Sequence, residues 1–343
     1  LGYGDEGLER AMREAIEGSV VHVSNLYRTA PGERLAEKLV ERTFADRVFF
    51  CNSGAEANEG AFKIARRWGR AMGGSSKHEI IALRGAFHGR LFGTLAATDR
   101  PAYRAPFRPL AGGISIVERD MEELEAALNS ETVAAVIAEP VQGEGGVRVL
   151  DHEFLRALRE LTRSRGIALI LDEIQCGYGR TGTFLAHEQA GIEPDLLTVA
   201  KPMAGGLPMG AILATKAVAD TMQPGDHGTT FGGGPFLSHV ALHVFERLSD
   251  PAMLAHVKSN GAWMRTALQK MAERSAKVRA VRGIGYMWGI DIAEPAKDVV
   301  ARALDAGLLI CSAGEHTLRL LPPLVMTRAD LERGLEMLAA VIG

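Results

Sequence analysis

Hydrophobic positions follow two patterns along the chain. Short, largely apolar runs bounded by polar or turn residues predict buried strands. These runs are Val48–Cys51, Lys77–Leu83, Thr132–Ile137, Ala168–Leu171, Leu196–Ala200, Val281–Ile292 and His316–Leu321. Elsewhere apolar residues recur at helical spacing. The segments with this spacing are Glu6–Glu17, Glu33–Arg42, a long stretch after Ala55, Phe154–Arg165, a stretch ending near Glu273, Asp298–Ala306 and Arg328–Ile342. Strands that alternate with helices predict an α/β fold with a mostly parallel, doubly wound sheet.

Two of the predicted strands end on charged residues. Asp172 follows Ala168–Leu171, and Lys201 follows Leu196–Ala200. Roughly 30 positions separate the two residues, a spacing that fits one crossover between parallel strands of one sheet, with a helical link. Ligands of open α/β sheets lie at the carboxyl ends of the strands, so we expect the carboxylate and the lysine to meet over one ligand.

This pair of residues suits one kind of cofactor. Lys201 lies in mostly apolar sequence before a glycine-rich turn, and burial, which lowers a lysine pKa, favours Schiff-base chemistry. A lysine that bonds the aldehyde and a carboxylate that keeps the ring nitrogen protonated are how proteins hold pyridoxal phosphate. The sequence is also compatible with simpler roles, since Asp172 could be a helix cap or a Mg²⁺ ligand and Lys201 a surface charge.

Two further loops carry candidate binding groups. The turn Asn52–Ala55 opens a long helix, where free N–H groups suit an anion, although a simple N-cap by Asn52 or Ser53 explains the turn equally well. In the loop after Leu83, Phe87 could stack on a flat ring or lie in the core. Arg90 of the same loop could bind a carboxylate through its guanidinium fork or be a surface residue.

A pair of glutamates follows the strand predicted at Thr132–Ile137. Glu139 and Glu144 flank a glycine-rich loop, and paired carboxylates are typical of glycoside hydrolases. Aromatic residues make up only 6% of the chain, and no aromatic platform for a sugar is apparent, which argues against that class.

Composition and charge argue against several classes of function, among them nucleic-acid binding and membrane insertion. The chain has 343 residues, 47% of them apolar and 24% charged, with a net charge of −3. This balance predicts a globular protein without affinity for nucleic acid or an anionic membrane, and no apolar run approaches the length of a membrane span. The widely separated Cys51, Cys176 and Cys311 predict reduced thiols and a cytoplasmic protein.

The motifs occur together and in order in one family. They are HVSNLY, ADRVFFCNSGAEANE, GAFHGR, AEPVQGEGG, LILDEIQCGYGRTG, PDLLTVAK and HGTTFGG. On these motifs the whole chain resembles the class III (ornithine-type) aminotransferases, pyridoxal-phosphate enzymes of fold type I. The resemblance implies a large cofactor-binding domain over 19–245, a smaller α+β C-terminal domain over 246–343, and a remnant of an N-terminal segment over 1–18. It also implies that a few tens of residues precede Leu1, where they cover the active site and complete the small domain.

The resemblance further implies roles for single residues. Lys201 bonds the cofactor and moves the proton as general acid and base, and Asp172 pairs with the pyridine nitrogen. The other cofactor contacts are Gln175 to the ring hydroxyl, Phe87 on the ring, Gly54 and Ala55 to the phosphate, and Thr230 to the phosphate of the other subunit of a homodimer. The substrate contacts are Arg90 to the far carboxylate, Thr229, and Glu144 with Arg319, which alternate between the two substrates. His88 and His227 receive no role, and Gly234 and Cys176 stand where the family usually has Asn and Thr.

The implied reaction moves the terminal amine of N²-acetyl-L-ornithine to 2-oxoglutarate, giving N-acetylglutamate 5-semialdehyde and glutamate in arginine biosynthesis. Ornithine, succinylornithine, carrier-linked lysine and 4-aminobutyrate are alternative donors. A nucleotide hydrolase would need GxxxxGK[ST], and no lysine of this chain follows a glycine. A regulatory binding module on the same fold is the non-enzymatic alternative, which the intact set of candidate catalytic residues disfavours. We expect no bound metal.

Overall fold

The computed structural model describes residues 1–18, 20–24 and 26–343. Ser19, the predicted start of the large domain, and Asn25 of the motif HVSNLY lie outside the described residues. The helices are α1 (Glu6–Glu17), α2 (Ala30–Arg42), α3 (Gly54–Gly73), α4 (Phe92–Ala96), α5 (Pro101–Arg104), α6 (Met121–Ala127), α7 (His152–Ser164), α8 (Lys216–Ala219), α9 (Pro235–Ser249), α10 (Pro251–Arg274), α11 (Ala296–Asp305) and α12 (Arg328–Ile342). The strands are β1 (Arg47–Cys51), β2 (Glu79–Leu83), β3 (Ile114–Val117), β4 (Val133–Ala138), β5 (Val141–Gln142), β6 (Arg148–Val149), β7 (Ala168–Asp172), β8 (Leu196–Val199), β9 (Gly210–Ala214), β10 (Val278–Ile284), β11 (Met287–Ile292), β12 (Cys311–Ser312) and β13 (Thr317–Leu320).

A seven-stranded sheet forms the body of the molecule, in the order β1-β9-β8-β7-β4-β2-β3. Strand β9 pairs antiparallel with both of its neighbours, and the other pairings are parallel. Alternate side chains of each strand face opposite layers. Ile81 and Leu169 belong to one core, while Ile80 and Ile170 belong to the core that α3 covers. The predicted α/β fold with a mostly parallel sheet is confirmed.

Helix α3 begins at the carboxyl edge of this sheet. Ser53 caps it by accepting a hydrogen bond from the N–H of Glu56, and its buried alanines and Phe62 pack on the strands. Gly69 allows close packing, because a Cβ there would lie 2.5 Å from the Lys77 carbonyl oxygen. The helix therefore presents its first N–H groups where the parallel strands end.

A second, antiparallel sheet has the order β10-β11-β13-β12 and packs against α10 and α11, which in turn contact α12. The prediction of a single strand over Val281–Ile292 is wrong, because the chain reverses at Gly285 between β10 and β11. Gly285 has φ +57°, and a Cβ on it would lie 2.5 Å from the Arg180 carbonyl oxygen. A side chain would be strained there and would also clash, so glycine allows both the turn and its packing.

Other differences from the sequence-based expectations lie between strands. The link between β7 and β8 consists of turns and a short 3₁₀ helix, Ala186–Ala190, because Gly179 and Gly182, both with positive φ, interrupt its first half. Strands β3 and β9 were not predicted. Position 245 lies within α9, and the division of the chain there stays a prediction. Among the described residues, no helix is long and apolar enough to cross a membrane.

Candidate active site

Polar side chains follow four neighbouring parallel strands at the carboxyl edge of the seven-stranded sheet. In the sheet order β8-β7-β4-β2, Asp172 ends β7, Glu139 follows β4, and Lys201 follows β8. The loop after β2 carries Phe87 and His88. Strands β7 and β8 are adjacent and parallel, so the structure places Asp172 and Lys201 at the same edge, as their spacing predicted.

The Asp172 carboxylate is buried and hydrogen-bonded on both oxygens. Oδ2 accepts from Asn58 Nδ2 at 2.7 Å and lies 2.8 Å from His88 Nδ1. Oδ1 accepts from the N–H of Ile174 at 3.1 Å. These three contacts fix the orientation of the carboxyl group. Its remaining acceptor position on Oδ1 could take a hydrogen bond from a protonated ring nitrogen.

His88 is a residue that its motif gave no role. Its Nδ1 faces an oxygen that only accepts, so Nδ1 carries the proton. Nε2 is buried without a hydrogen-bond partner in the described part of the chain. A lone histidine in sequence carries no indication of a partner 84 positions away, and only its place beside Phe87 connected it with the site.

His227 lies elsewhere, as a loop residue. Its Nδ1 is 3.0 Å from Lys63 Nζ and its ring is 4.8 Å from that of Phe49. Burial and then the Lys63 charge lower the pKa of His227. These contacts are those of a structural residue.

Glu139 is a second buried carboxyl group at this edge. Oε1 accepts from the N–H of Phe87 at 2.9 Å, which holds the loop that carries Phe87. Burial raises the pKa of Glu139 to about 7, and the nearby Asp172 charge acts in the same direction, while His88, the Phe87 hydrogen bond and Lys201 oppose it. Sequence reasoning had considered Glu139 only as half of a hydrolase pair.

The exposure of Lys201 differs from what the sequence predicted. Lys201 was expected in buried, apolar surroundings, but its side chain is exposed, because it follows the end of β8 and opens onto turns rather than onto packed helices. In the single chain, Lys201 is therefore not shielded from water in the way that was expected to favour Schiff-base chemistry. Its ammonium group is nevertheless close enough to Glu139 to oppose the rise of that residue's pKa.

The turn before α3 forms an anion-binding arrangement. The N–H groups of Gly54 and Ala55 begin a 20-residue helix, and the first N–H groups of a helix have no partner within it. Glu56 Oε2 accepts from both the N–H and the side-chain nitrogen of Asn52, at 2.6 and 2.9 Å. Thr229 Oγ1 accepts from Asn52 Nδ2 at 3.0 Å, so the glycine-rich loop before α9 is tied to this turn.

On the opposite side, β13 brings Arg319 to the site. Arg319 Nη1 donates to Glu144 Oε1 at 2.6 Å and to Gln175 Oε1 at 3.2 Å, and Nε faces Cys311 Sγ at 3.4 Å. Burial works against the Arg319 charge, but the hydrogen bonds to Cys311 and Glu144 outweigh it and raise the pKa of Arg319. The two charges of the predicted Glu144–Arg319 pair are in direct contact.

Gln175 is held closely in this group. A Cβ on Gly143 would lie 1.7 Å from Gln175 Oε1, so only glycine leaves room for it. Because Oε1 already accepts from Arg319, the Gln175 amide nitrogen is the group left to donate to a ligand.

The remaining predicted residues lie at the rim. Arg90 is exposed, with its guanidinium carbon 4.1 Å from the centre of the Tyr103 ring. Phe87 is half-buried, and Thr230 is exposed. The adjacent acid Glu173 is not free for a metal ion, since it accepts from the N–H groups of Ala186 and His187 and from His187 Nδ1. Within the described ranges, no group of three or more candidate metal-binding side chains occurs.

These residues fit pyridoxal phosphate. The helix start suits the phosphate, Asp172 suits the ring nitrogen, the Gln175 amide suits the ring hydroxyl, and Lys201 is the amine at the same edge. When bound, this cofactor supplies an electron sink for bonds broken at the amine-bearing carbon. The chain's own groups would orient it, hold its ring proton and provide a base.

Comparison with known proteins agrees with this chemistry. The profile of the family "Aminotransferase class-III" matches residues 1–342. A mitochondrial acetylornithine aminotransferase of Alnus glutinosa is 42% identical over 343 residues, covering 98% of this chain and 76% of its own.

Solved structures give the same result. The N-acetylornithine aminotransferase of Stenotrophomonas maltophilia aligns with a TM-score of 0.87 and 37% identity, over 100% of this chain and 87% of its own. The ornithine aminotransferase of Toxoplasma gondii aligns with a TM-score of 0.95 and 29% identity, over 99% and 82%. The chain therefore belongs to the class III aminotransferases and is a pyridoxal-phosphate-dependent transaminase.

Proposed function

We propose that the protein transfers the terminal amine of N²-acetyl-L-ornithine to 2-oxoglutarate, giving N-acetylglutamate 5-semialdehyde and glutamate. The observation that carries this proposal is the closed Glu144–Arg319 pair, with 2.6 Å between Oε1 and Nη1. The names of the relatives, which include two enzymes acting on acetylornithine, support it.

The pair explains how one pocket accepts two unlike substrates. An ω-amine donor brings an uncharged stem to the reacting centre, where an unpaired arginine would be unfavourable. Glu144 neutralises Arg319 in that half-reaction. 2-Oxoglutarate brings a carboxylate next to its ketone, and this group takes the place of Glu144 on Arg319. Arg90, at the rim of the site, binds the carboxylate that lies far from the reacting amine or ketone in each of the two substrates.

The remaining roles belong to the same proposal. Lys201 bonds the cofactor and moves the proton between carbon atoms as general acid and base. Asp172 holds the proton of the ring nitrogen, Phe87 covers the ring, and Gly54 and Ala55 donate to the phosphate. Thr229 contacts the substrate.

A homodimer with shared sites is also part of the proposal. Thr230 is exposed, and large apolar residues next to it in sequence, next to Arg90 and in the segment after His22 are exposed too. They are Leu26 and Tyr27, Leu91 and Phe92, and Phe231. The Phe231 ring is 5.0 Å from the His22 ring, which joins two of these segments. Apolar patches of this kind mark protein interfaces, and a second copy would place Thr230 at its neighbour's phosphate.

We also place the enzyme in the cytoplasm. The thiols of Cys51, Cys176 and Cys311 are free, and free thiols are typical of reducing compartments.

A donor panel tests the proposal. Initial rates with 2-oxoglutarate as acceptor are compared for acetylornithine, ornithine, succinylornithine, 4-aminobutyrate and a carrier-linked lysine. We expect acetylornithine to give the highest kcat/KM. A tenfold preference for another donor would contradict the substrate assignment and leave the reaction class intact.

A further inference from the structure

The Asp172 carboxylate has nearly all of its acceptor positions filled. Asn58 Nδ2 and His88 Nδ1 meet Oδ2, and the N–H of Ile174 meets Oδ1. A carboxylate offers about four lone-pair positions. With three positions filled by described residues, one remains, and it is on Oδ1.

The direction of the Asn58 amide follows from its partners. Its nitrogen lies 2.8 Å from the His88 carbonyl oxygen and 2.7 Å from Asp172 Oδ2. Both of these oxygens can only accept, so the NH₂ group must face them. The amide oxygen then faces Thr198 Oγ1 at 2.7 Å, and that hydroxyl must donate.

The three polar side chains come from different elements and are shielded from solvent. Asn58 is on α3, Thr198 is on β8, and Asp172 ends β7. Asn58 and Thr198 are fully buried, and Asp172 is 4% exposed. Because bulk water has little access to these groups, removing one of the hydrogen bonds leaves its partner unsatisfied.

We propose that Asn58 and Thr198 are positioning residues that fix the Asp172 carboxylate with one lone pair of Oδ1 directed to the cofactor's ring nitrogen. Thr198 sets the amide direction, the amide and His88 occupy Oδ2, and the free position on Oδ1 is left for the ring N–H. Neither residue exchanges a proton with the substrate. The inference rests on the proposed role of Asp172.

Two substitutions remove the two links separately. Thr198→Val keeps the shape of a β-branched side chain and removes only the hydroxyl, so the Asn58 amide loses the donor that orients it. Asn58→Leu keeps a similar volume and leaves Oδ2 with one donor. Thr198→Ser is the rescue variant, because it retains the hydroxyl. Thr162→Val is the matched control, since the Thr162 hydroxyl is also buried but donates to the Arg159 carbonyl oxygen in α7.

The experiment measures the Kd of each apoprotein for pyridoxal phosphate, the visible absorption band of the bound cofactor, and kcat and KM for the amine donor. We expect Thr198→Val and Asn58→Leu to raise the Kd about tenfold, to shift the band, and to lower kcat more than KM changes. Thr198→Ser and Thr162→Val should match the wild type in all of these. Thermal unfolding of each apoprotein reports folding, and if Asn58→Leu does not fold, the Thr198 series alone decides.

The outcomes separate this inference from the function proposal. A folded Thr198→Val protein with the wild-type Kd, band and kcat overturns the positioning role. Suppose instead that Thr198→Val lowers only the thermal stability and leaves the absorption band unchanged. The Thr198 hydroxyl is then purely structural, and this result also overturns the positioning role. If wild-type protein binds the cofactor but does not use acetylornithine, the substrate proposal fails while the comparison of Kd and band remains valid. If Asp172→Asn leaves the Kd and band unchanged, the premise of the inference fails.

Discussion

Replacing Glu144 with alanine should change which amine donor the enzyme prefers. In the present structure the Glu144 carboxylate neutralises Arg319. Without it, Arg319 stays charged and open toward the donor. Glutamate brings a carboxylate that can pair with Arg319, whereas the corresponding part of acetylornithine is an apolar stem. The variant should therefore lose activity with acetylornithine relative to glutamate.

The size of the effect follows from the burial of the pair. The Arg319 side chain is 10% exposed and that of Glu144 is 34% exposed. Removing one partner of a desolvated, hydrogen-bonded charge pair costs about 2–5 kcal/mol. Arg319 keeps Gln175 and Cys311 as partners, and Glu144 is partly solvated, so the lower end applies. Because about 1.4 kcal/mol is a factor of ten, the donor ratio should change at least roughly tenfold.

Single-turnover kinetics on the cofactor-loaded enzyme measure each half-reaction separately. The rate constants with acetylornithine and with glutamate are compared for the wild type, Glu144→Ala and Glu144→Gln. Glutamine still accepts a hydrogen bond without carrying charge, so its ratio should fall between the other two. Arg148→Ala is the control in the adjoining strand β6, since Arg148 is exposed and donates to the Gly145 carbonyl oxygen. Equal slowing of both donors by Glu144→Ala, with the ratio intact, would refute the reasoning.

Three further predictions concern other parts of the site. Burial raises the pKa of Glu139 from 4.5 to about 7, so its contribution to stability is present below pH 4.5 and is lost as the pH rises through 7. Glu139→Gln should therefore gain apoprotein stability relative to the wild type between pH 5 and pH 8, by roughly 3 kcal/mol at most, and a difference in thermal unfolding that is independent of pH would contradict this. Gly143→Ala should displace Gln175 and weaken cofactor binding. Gly334→Ala is the control and should not weaken it, because the added Cβ would have no neighbour within 4 Å. Equal Kd values for pyridoxal phosphate in the two variants would show that Gln175 does not contact the cofactor. Mixed Lys201→Ala and Thr230→Ala chains should recover some activity in hybrid dimers with one intact site, and no recovery after verified subunit exchange would count against shared sites.

The main elements were predictable because their signals are local. Runs such as Ala168–Leu171 show a buried strand in the sequence itself, and the charged residues Asp172 and Lys201 that follow two of these runs mark the carboxyl edge of the sheet. The convergence of Asp172 and Lys201 followed from one topological rule. The hairpin at Gly285 was missed because apolar residues flank the turn on both sides and its glycine is one of several in the segment.

The contacts that hold Asp172 were not predictable from sequence pattern. Asn58 and Thr198 lie 140 positions apart, and each has an ordinary place in its helix or strand. Burial of Glu139 and exposure of Lys201 likewise depend on how separate loops pack around the edge. The family motifs predicted which residues form the site, and the hydrogen bonds between these residues could be read only from the fold.

Borohydride reduction tests the central claim that Lys201 holds the cofactor of a transaminase. Reduction of the loaded enzyme should fix pyridoxal phosphate covalently on the peptide that contains Lys201, as read by mass spectrometry. The Lys201→Ala protein should still bind the cofactor through its phosphate and ring contacts, with no covalent label after reduction and no turnover. Labelling of another lysine in the wild type, or turnover by Lys201→Ala, would contradict the account.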